Sequence, residues 1–251
     1  MKKVLYTFVC STVFVTTVMA DIARVEMGVG AWLQTSKGSA SYSDGGADGS
    51  YTSSKKDSTE PYIWLLIKHP IPVLPNLRVE YVSMEDDGTA SGQFKDFDIG
   101  TGNFTTLSYD MKQYDIIPYY NILDNTGWVT LDLGLDIKII DASYTAAPSA
   151  PFLGYSDSVT FAIPLLYARV RVEIPSTEIG LESDIKYVTT GDSTAYDIRA
   201  KVDYTLDFVP VVQPALEVGY RVQKLDIDES GVDAKLDIDF SGFYAGLMLR
   251  F

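Results

Sequence analysis

The chain ends in Phe243-Tyr-Ala-Gly-Leu-Met-Leu-Arg-Phe251, a stretch in which apolar residues alternate with others and an aromatic residue carries the terminal carboxylate. Successive side chains of a β-strand point to opposite faces. One face of this stretch is wholly apolar and is formed by Phe243, Ala245, Leu247, Leu249 and Phe251. Lipid outside and a wet interior would favour such a pattern, which is typical of the last strand of a bacterial outer-membrane β-barrel.

The same period of two continues through almost the whole chain and is clearest where apolar residues alternate with charges. Residues 127–140 and 196–208 show it best. A helix would scatter those charges around its circumference, whereas a strand places them all on one face. We predict strands near 23–35, 60–69, 76–85, 105–120, 127–142, 159–174, 178–190, 194–208, 214–227 and 235–251.

The predicted fold is therefore an all-β, transmembrane, antiparallel up-and-down barrel of about ten strands, with eight or twelve as alternatives. Short connections at 70–75, 121–126, 175–177 and 209–213 are expected in the periplasm, and long loops at 36–59, 86–104 and 143–158 outside. The acidic run from Glu85 to Asp87 lies at the rim and at the start of the loop 86–104, where solvation is expected. Pro164 lies within a strand and predicts a local bulge.

Residues 1–20 predict a cleaved secretory signal peptide, because two lysines precede an apolar run that ends in Val18-Met-Ala20. Asp21 would then begin a single barrel domain, 21–251. The only cysteine, Cys10, lies in the leader, so the mature domain would contain no disulfide or cysteine metal site. Removing the leader takes two of the 20 basic residues and none of the 34 acidic ones, which gives 18 − 34 = −16. That charge argues against nucleic-acid binding.

Charged residues on the inward faces form a near-balanced set, which predicts that the lumen is cross-linked and filled rather than open. The central members of this charge network are Asp132, Asp136, Lys138, Arg169, Arg171, Glu182, Asp184, Lys186, Arg199, Lys201 and Asp203. Further members are Arg24, Arg78, Arg221, Glu26, Glu80, Glu173, Glu178, Asp197 and Glu217. A narrow passive channel for small polar solutes is the alternative reading of the same charges.

Aromatic residues near the predicted strand ends would form the two interfacial girdles of a membrane barrel. They are Tyr62, Trp64, Tyr119, Tyr120, Trp128, Tyr155, Phe161, Phe208 and Phe251. The partners expected on this basis are outer-membrane lipids and lipopolysaccharide. The barrel-assembly machinery is a further expected partner during biogenesis, with Phe243, Leu247, Leu249 and Phe251 as the assembly signal.

The turn at 69–75 is stiff, because His69 is followed by Pro70, Pro72 and Pro75, which fix backbone angles and remove amide donors. It sets strand register or, alternatively, docks a periplasmic protein. His69 is the only histidine of the chain and is predicted at the periplasmic end, whereas barrel enzymes commonly use a histidine near the outer rim or the membrane face. No second histidine is present to complete a metal site or a catalytic site elsewhere. We expect no enzyme activity, no cofactor and no bound metal.

Two segments resemble a known family: Gly28-Val-Gly-Ala-Trp32 in the first strand and His69-Pro-Ile-Pro-Val-Leu-Pro-Asn76 in the turn. Together with the final Phe251, they resemble small proteobacterial outer-membrane barrels of unknown function. The resemblance implies the fold and a location in the outer membrane of a Gram-negative bacterium. It implies no catalytic residues. The expected role is that of a structural or interaction barrel.

Overall fold

The computed structural model describes residues 23–44, 47–54, 57–71, 73–94, 97–126, 128–147, 155–206, 212–229 and 234–251. The predicted signal peptide, 1–20, lies outside the described residues. Within them, no helix has the length and apolar character needed to cross a membrane. The strands are β1 (Arg24–Asp44), β2 (Ala47–Ser53), β3 (Asp57–Lys68), β4 (Asn76–Phe94), β5 (Phe97–Thr126), β6 (Val129–Ala147), β7 (Tyr155–Glu173), β8 (Ile179–Thr190), β9 (Ser193–Thr205), β10 (Gln213–Glu229) and β11 (Ala234–Arg250).

Each strand pairs antiparallel with its neighbours, and β11 returns to pair with β1, which closes the sheet into a barrel. The segments β2 and β3 both lie between β1 and β4, so they are two pieces of one wall strand. The result is a closed antiparallel barrel of 10 strands. The predicted fold class is confirmed.

The strands extend much further than predicted at the end of the barrel opposite Arg24 and Arg250. Most of the expected long loops are paired strand: Tyr42 pairs with Gly49, Gln93 with Asp98, and Thr145 with Ser156. These segments are rich in serine, glycine and aspartate, so they lack the alternation that predicts a strand. Backbone pairing, which needs no particular side chain, nevertheless continues there. Residues 121–126 also belong to β5, where the register shifts twice, and Trp128 has a positive φ of 71°.

Pro164 does not produce the predicted bulge, since β6 and β7 pair without interruption from Val129↔Val172 to Ala146↔Tyr155. The ladder between β7 and β8 instead begins at Leu166↔Tyr187, just beyond the proline. Pro164 therefore lies where β8 has already left β7 and no amide is needed.

The outward face carries an apolar belt between two rows of aromatic residues. Within the belt, residues such as Val29, Leu33, Leu135, Val218 and Leu247 are more than half exposed. One row, at the end that holds Arg24 and Arg250 (the terminal end), consists of Tyr120, Trp128, Tyr204 and Phe251. The other row, toward the long hairpins (the hairpin end), consists of Tyr81, Tyr114, Tyr187, Tyr196, Tyr220 and Phe243.

The girdle prediction was right for Tyr120, Trp128 and Phe251 and wrong for four other residues. Tyr62, Trp64 and Tyr119 are 6%, 2% and 1% exposed and lie inside the barrel. Phe161 also points inward, where it is partly buried against the interior cluster. Phe208 lies outside the described residues, as does the side chain of Tyr155.

Candidate functional site

Charged side chains fill the middle of the lumen. Every residue of the central network is buried: Asp132, Asp136, Lys138, Arg169, Arg171, Glu182, Asp184, Lys186, Arg199, Lys201 and Asp203 are each 6% exposed or less. Arg78, Arg221, Glu26, Glu80, Asp197 and Glu217 join them. Three predicted members do not, and the first is Arg24, whose side chain is 33% exposed at the rim, where it pairs with Glu26 at 2.5 Å. Glu178 is exposed in the turn before β8, and the side chain of Glu173 is 45% exposed at the rim.

The ion pairs at the centre cross the barrel. Glu80 on β4 accepts a hydrogen bond from Arg199 Nη2 on β9 at 2.8 Å and another from Lys186 Nζ on β8 at 2.7 Å. β4 and β9 lie on opposite sides of the ring, five wall strands apart in the order of pairing. Lys186 Nζ also donates to Asp115 at 2.5 Å, which ties β8 to β5. These contacts obstruct the axis of the lumen.

A second group of ion pairs lies toward the terminal end. Arg169 bridges Asp132 at 2.6 Å and Glu182 at 2.7 Å. Arg171 donates to both carboxylate oxygens of Asp203, at 2.7 and 3.1 Å. Bidentate, charge-assisted pairs of this kind fix side-chain geometry as well as adding energy. The lumen is therefore rigidly cross-linked toward the terminal end.

The buried aromatic residues explain the glycines of the first strand. Trp64 and Tyr62 donate to Glu217 Oε1, at 3.1 and 2.8 Å, and Lys201 lies 4.5 Å from the Trp64 ring centroid. A Cβ atom on Gly28 would collide with the indole of Trp64, and one on Gly30 would collide with backbone of β11 and with the Tyr62 hydroxyl. Gly28 and Gly30 thus leave room for two aromatic rings that hold a lumenal carboxylate.

Asp136 differs from the other lumenal carboxylates. Its side chain is fully buried, and neither oxygen has a hydrogen-bond partner among the described residues. The nearest cation is Lys138, whose Nζ lies 4.0 Å away. Lys138 is held instead by Asp115 at 2.9 Å and Asp197 at 3.2 Å. Asp136 is therefore a weakly compensated negative charge.

Asp115 was not singled out by sequence, although it follows the inward parity of Met111, Gln113 and Ile117 on β5. That parity was the available signal.

Asp86 was assigned to a solvated loop, and this was wrong, because its side chain is fully buried. It accepts hydrogen bonds from three hydroxyls: Ser36 at 2.5 Å, Tyr51 at 2.7 Å and Ser53 at 2.8 Å.

Asp86 belongs to a second core at the hairpin end, the outer cluster, formed by Tyr51, Ala90, Leu107 and Ala146 with Ala40, Tyr109 and Tyr144 packed against them. The Tyr51 and Tyr109 rings meet edge to face, 4.9 Å between centroids. Burial, followed by the hydrogen bond to Asp86, raises the pKa of Tyr51, and burial together with the Asp86 charge raises the pKa of Tyr109 to about 12. Both hydroxyls are neutral at physiological pH.

The stiff turn is fastened by its own histidine. The His69 amide donates to Asn76 Oδ1 at 3.1 Å, and the ring Nδ1 accepts from the Ile71 amide at 3.2 Å. Since Nδ1 accepts, Nε2 carries the proton and donates to the Pro75 carbonyl at 3.0 Å. Pro70 is exposed, Pro75 is partly buried, and Pro72 lies outside the described residues. These bonds give the only histidine of the chain a structural role.

Phe243, Leu247, Leu249 and Phe251 all point outward from β11, and Phe243 and Leu247 are 66% and 59% exposed. The terminal backbone is part of the seam between β1 and β11, because Phe251 and Val25 exchange hydrogen bonds at 2.9 and 3.3 Å.

In the part of the chain that the structure describes, no group of three or more histidine, cysteine, aspartate or glutamate side chains is arranged to hold a metal ion.

No family model matches the chain, and no curated protein matches it in sequence. Among solved structures, it is similar to the outer membrane protease OmpT from Escherichia coli, with 10% identity, a TM-score of 0.56, and coverage of 91% of this chain and 96% of OmpT. The translocator domain of the autotransporter NalP from Neisseria meningitidis has 13% identity, a TM-score of 0.43, and coverage of 100% and 97%. The likeness to OmpT shows that the two proteins share an outer-membrane barrel fold.

Proposed function

We propose that the protein is an integral barrel of the bacterial outer membrane with a structural or interaction role and a closed lumen. The observation that carries the proposal is the contact of Glu80 with Lys186 and Arg199 across the barrel. A water-filled channel of the porin kind requires a wider ring of strands, whereas a ring of this size is filled by its own side chains. The apolar belt and its aromatic rows support the membrane location.

Orientation follows from the lengths of the connections. Short turns face the periplasm in outer-membrane barrels, and the longer segments that extend beyond the membrane, here the long hairpins, face the outside of the cell. The terminal end, with the His69 turn, therefore lies in the periplasm, and the hairpin end lies outside. Lipids and lipopolysaccharide would surround the belt, and the exposed face of β11 would be available to the assembly machinery before closure. Export would depend on the predicted signal at 1–20.

We also propose that the role is not enzymatic. OmpT is a protease by its name, but a likeness at 10% identity extends to the fold alone. His69 is held within its own turn at the terminal end by Ile71 and Pro75. A periplasmic docking role for that turn stays an alternative, supported by the exposed side chains of Ile71, Val73 and Leu74, which are 52%, 82% and 54% exposed.

Single-channel conductance of the refolded protein, residues 21–251, tests the closed lumen in a planar bilayer. We expect no steady conductance from protein that is shown to be inserted. Removing the positive charges of Arg169 and Arg171 together tests the alternative. Step-like conductance that changes in Arg169→Gln/Arg171→Gln would establish a lumenal pore and contradict the proposal.

Assembly is tested separately by deleting Phe251. We expect less protein in the outer membrane, since the outward aromatic at the end of β11 would be missing from the proposed assembly signal. Normal insertion of the deletion variant would refute that role, while leaving the closed lumen untouched.

A further inference from the structure

At the hairpin end, the barrel wall has a gap above one short hairpin. The hairpin of β8 and β9 turns back at Thr190↔Ser193, whereas β7 continues upward from its last pairing with β8, at Leu166, to Tyr155. Along residues 155–165, the described partner of β7 is β6 alone. On the other side of the gap, β10 pairs with β11 as far as Glu229, beyond its last pairing with β9 at Asp226. The tip of the short β8–β9 hairpin therefore forms the lower edge of a lateral opening in the wall, which we call the notch.

Apolar side chains face inward around this opening. We call this surface the vestibule and define it by Val159, Phe161, Ile163, Val188, Ile227 and Leu236. Val159 is 51% exposed, and the other five are partly buried against the interior cluster. On the opposite wall, the outer cluster and Asp86 fill the interior with contacts of their own. Among the residues that the structure describes, these six form a group of partly exposed, inward apolar side chains on the side of the notch.

The buried interior cluster, which includes Leu225, closes the vestibule from beneath, and a polar layer lies below it with Gln113 and Gln223 only 1% and 6% exposed. Gln223 donates a hydrogen bond to Gln113, which in turn donates to Asp115 at 3.2 Å. Below them, Arg221 donates to both oxygens of Asp197, at 2.9 and 2.6 Å. A ligand that enters from the notch would therefore meet apolar walls and, beneath them, the buried interior cluster. Such a surface fits an apolar chain whose polar end stays at the notch.

The lower edge of the notch lies at the edge of the apolar belt. Tyr187 and Tyr196 pair with each other, point outward in the aromatic row, and stand three residues from the turn at Thr190 and Ser193. Aromatic rows of this kind mark the interface between lipid tails and headgroups. The notch consequently opens at the level at which amphiphiles of the surrounding leaflet present their headgroups.

We propose that the vestibule binds one small amphiphile with an alkyl chain, taken from the outer leaflet through the notch between β7 and β10, above the β8–β9 hairpin. The inward residues come from four strands, β7, β8, β10 and β11, and lie above a buried cluster, which suits a single chain rather than a flat protein surface. The apolar side chains supply the binding free energy, and the buried interior cluster beneath them limits the depth of entry. This inference goes beyond the proposed role, which includes no ligand.

The test is photolabelling of the refolded protein, residues 21–251, in phosphatidylcholine nanodiscs, with palmitic acid that carries a diazirine in its chain. Peptide mass spectrometry distinguishes the inward residues Phe161, Ile163 and Val188 from the outward residues Ala162 and Tyr187. We expect inward labelling that saturates and is competed by unlabelled palmitate. Outward labelling should instead increase linearly, because lipid contact there is not a site.

A matched pair of variants completes the test. Ile163→Trp fills the vestibule, and Ala162→Trp adds the same ring one residue away on the lipid face. We expect Ile163→Trp to weaken the apparent Kd by about tenfold, equivalent to about 1.4 kcal/mol, and Ala162→Trp to leave it unchanged. Leu236→Trp on the far wall is a second filling variant if Ile163→Trp does not refold, as judged by its electrophoretic shift on heating.

Inward labelling that is absent or does not saturate would overturn the proposal, whether the site is then covered by a hairpin tip or by a second copy of the chain. Equal effects of Ile163→Trp and Ala162→Trp would also overturn it. The outcome is independent of the conductance experiment, because a vestibule with a closed floor carries no current whether or not it is occupied.

Discussion

The lumen has two halves, a lower half that runs from its centre to the terminal end and an upper half toward the hairpin end. Both are built on the same alternating strands, but different kinds of side chain fill them. In the lower half, carboxylates and cations pair across the barrel, as Glu80 does with Arg199 and Lys186. In the upper half, Tyr51 and Tyr109 pack together, and the buried carboxylate of Asp86 is satisfied by hydroxyl groups. The lower half thus depends on charge neutralisation between distant strands, and the upper half depends on packing between neighbouring hairpins.

The largest effect is expected from breaking the lower half at Glu80. Glu80→Gln keeps the shape but leaves Arg199 and Lys186 without their shared anion, and removal of one partner from a buried ion pair costs about 3–5 kcal/mol. Urea unfolding of the barrel from phosphatidylcholine vesicles measures the change in the free energy of unfolding. Tyr81→Phe, an outward substitution on the same strand, is the control, and equal losses in the two variants would contradict a charge-dependent lower half.

A smaller and local effect is expected in the upper half at Asp86. Asp86→Ala leaves the hydroxyls of Ser36, Tyr51 and Ser53 without this acceptor, at a cost of about 1–3 kcal/mol. Hydrogen exchange should accelerate in β2 and the outer part of β1, while amides in the apolar belt stay protected. Asp110→Ala, at an exposed position, is the matched control. Acceleration spread over the whole barrel would show that the two halves are not separate.

The upper half should also respond to alkaline pH. Its Tyr109 has a pKa raised to about 12 from an ordinary value of 10.0, because the side chain is buried near Asp86. Since the folded pKa is the higher one, its contribution to stability is fully present below pH 10.0 and is lost as the pH rises toward about 12. Tyrosinate absorbance should show a late-titrating component that disappears in Tyr109→Phe. Its persistence in that variant would contradict the assignment.

The smallest effect, with the opposite sign, is expected at Asp136. Its oxygens lack hydrogen-bond partners among the described residues, so replacing the charge with an amide in Asp136→Asn should leave stability unchanged or increase it by up to about 1 kcal/mol. The same urea measurement as for Glu80→Gln provides the comparison. A loss as large as that of Glu80→Gln would mean that Asp136 is an integral member of the network.

Sequence alternation identified the barrel and the inward side of most strands, because a period of two needs only local information. It found Lys186, Arg199 and Asp203 for that reason. It did not find that Glu80 contacts Arg199, since which residues meet across a lumen depends on the stagger of every strand between them. Nor did it separate Tyr62 and Trp64 from lipid-facing aromatics, because a ring inside a barrel requires space that Gly28 and Gly30 provide on another strand.

The hairpin end was the part least accessible to sequence. Ser39, Ser41 and Ser50 carry no apolar alternation, and yet all three are paired in strands. Asp86 was read as solvated because its neighbours Glu85 and Asp87 are also acidic, although parity turns the middle residue inward. In such segments the backbone determines the structure, and side-chain patterns carry little information about it.

The seam between β1 and β11 has a kinetic consequence. It joins residues 224 positions apart, as in the contact of Arg250 Nε with Glu26 Oε1 at 3.1 Å. Contacts of such high sequence separation form late, because the entropy of closing so large a loop opposes them until the intervening hairpins are in place. Once the ring is closed, every described strand is paired on both sides within the belt, so unfolding has no free sheet edge there from which to start. The persistence of the barrel would then be governed by the rate at which this one seam opens rather than by its equilibrium stability.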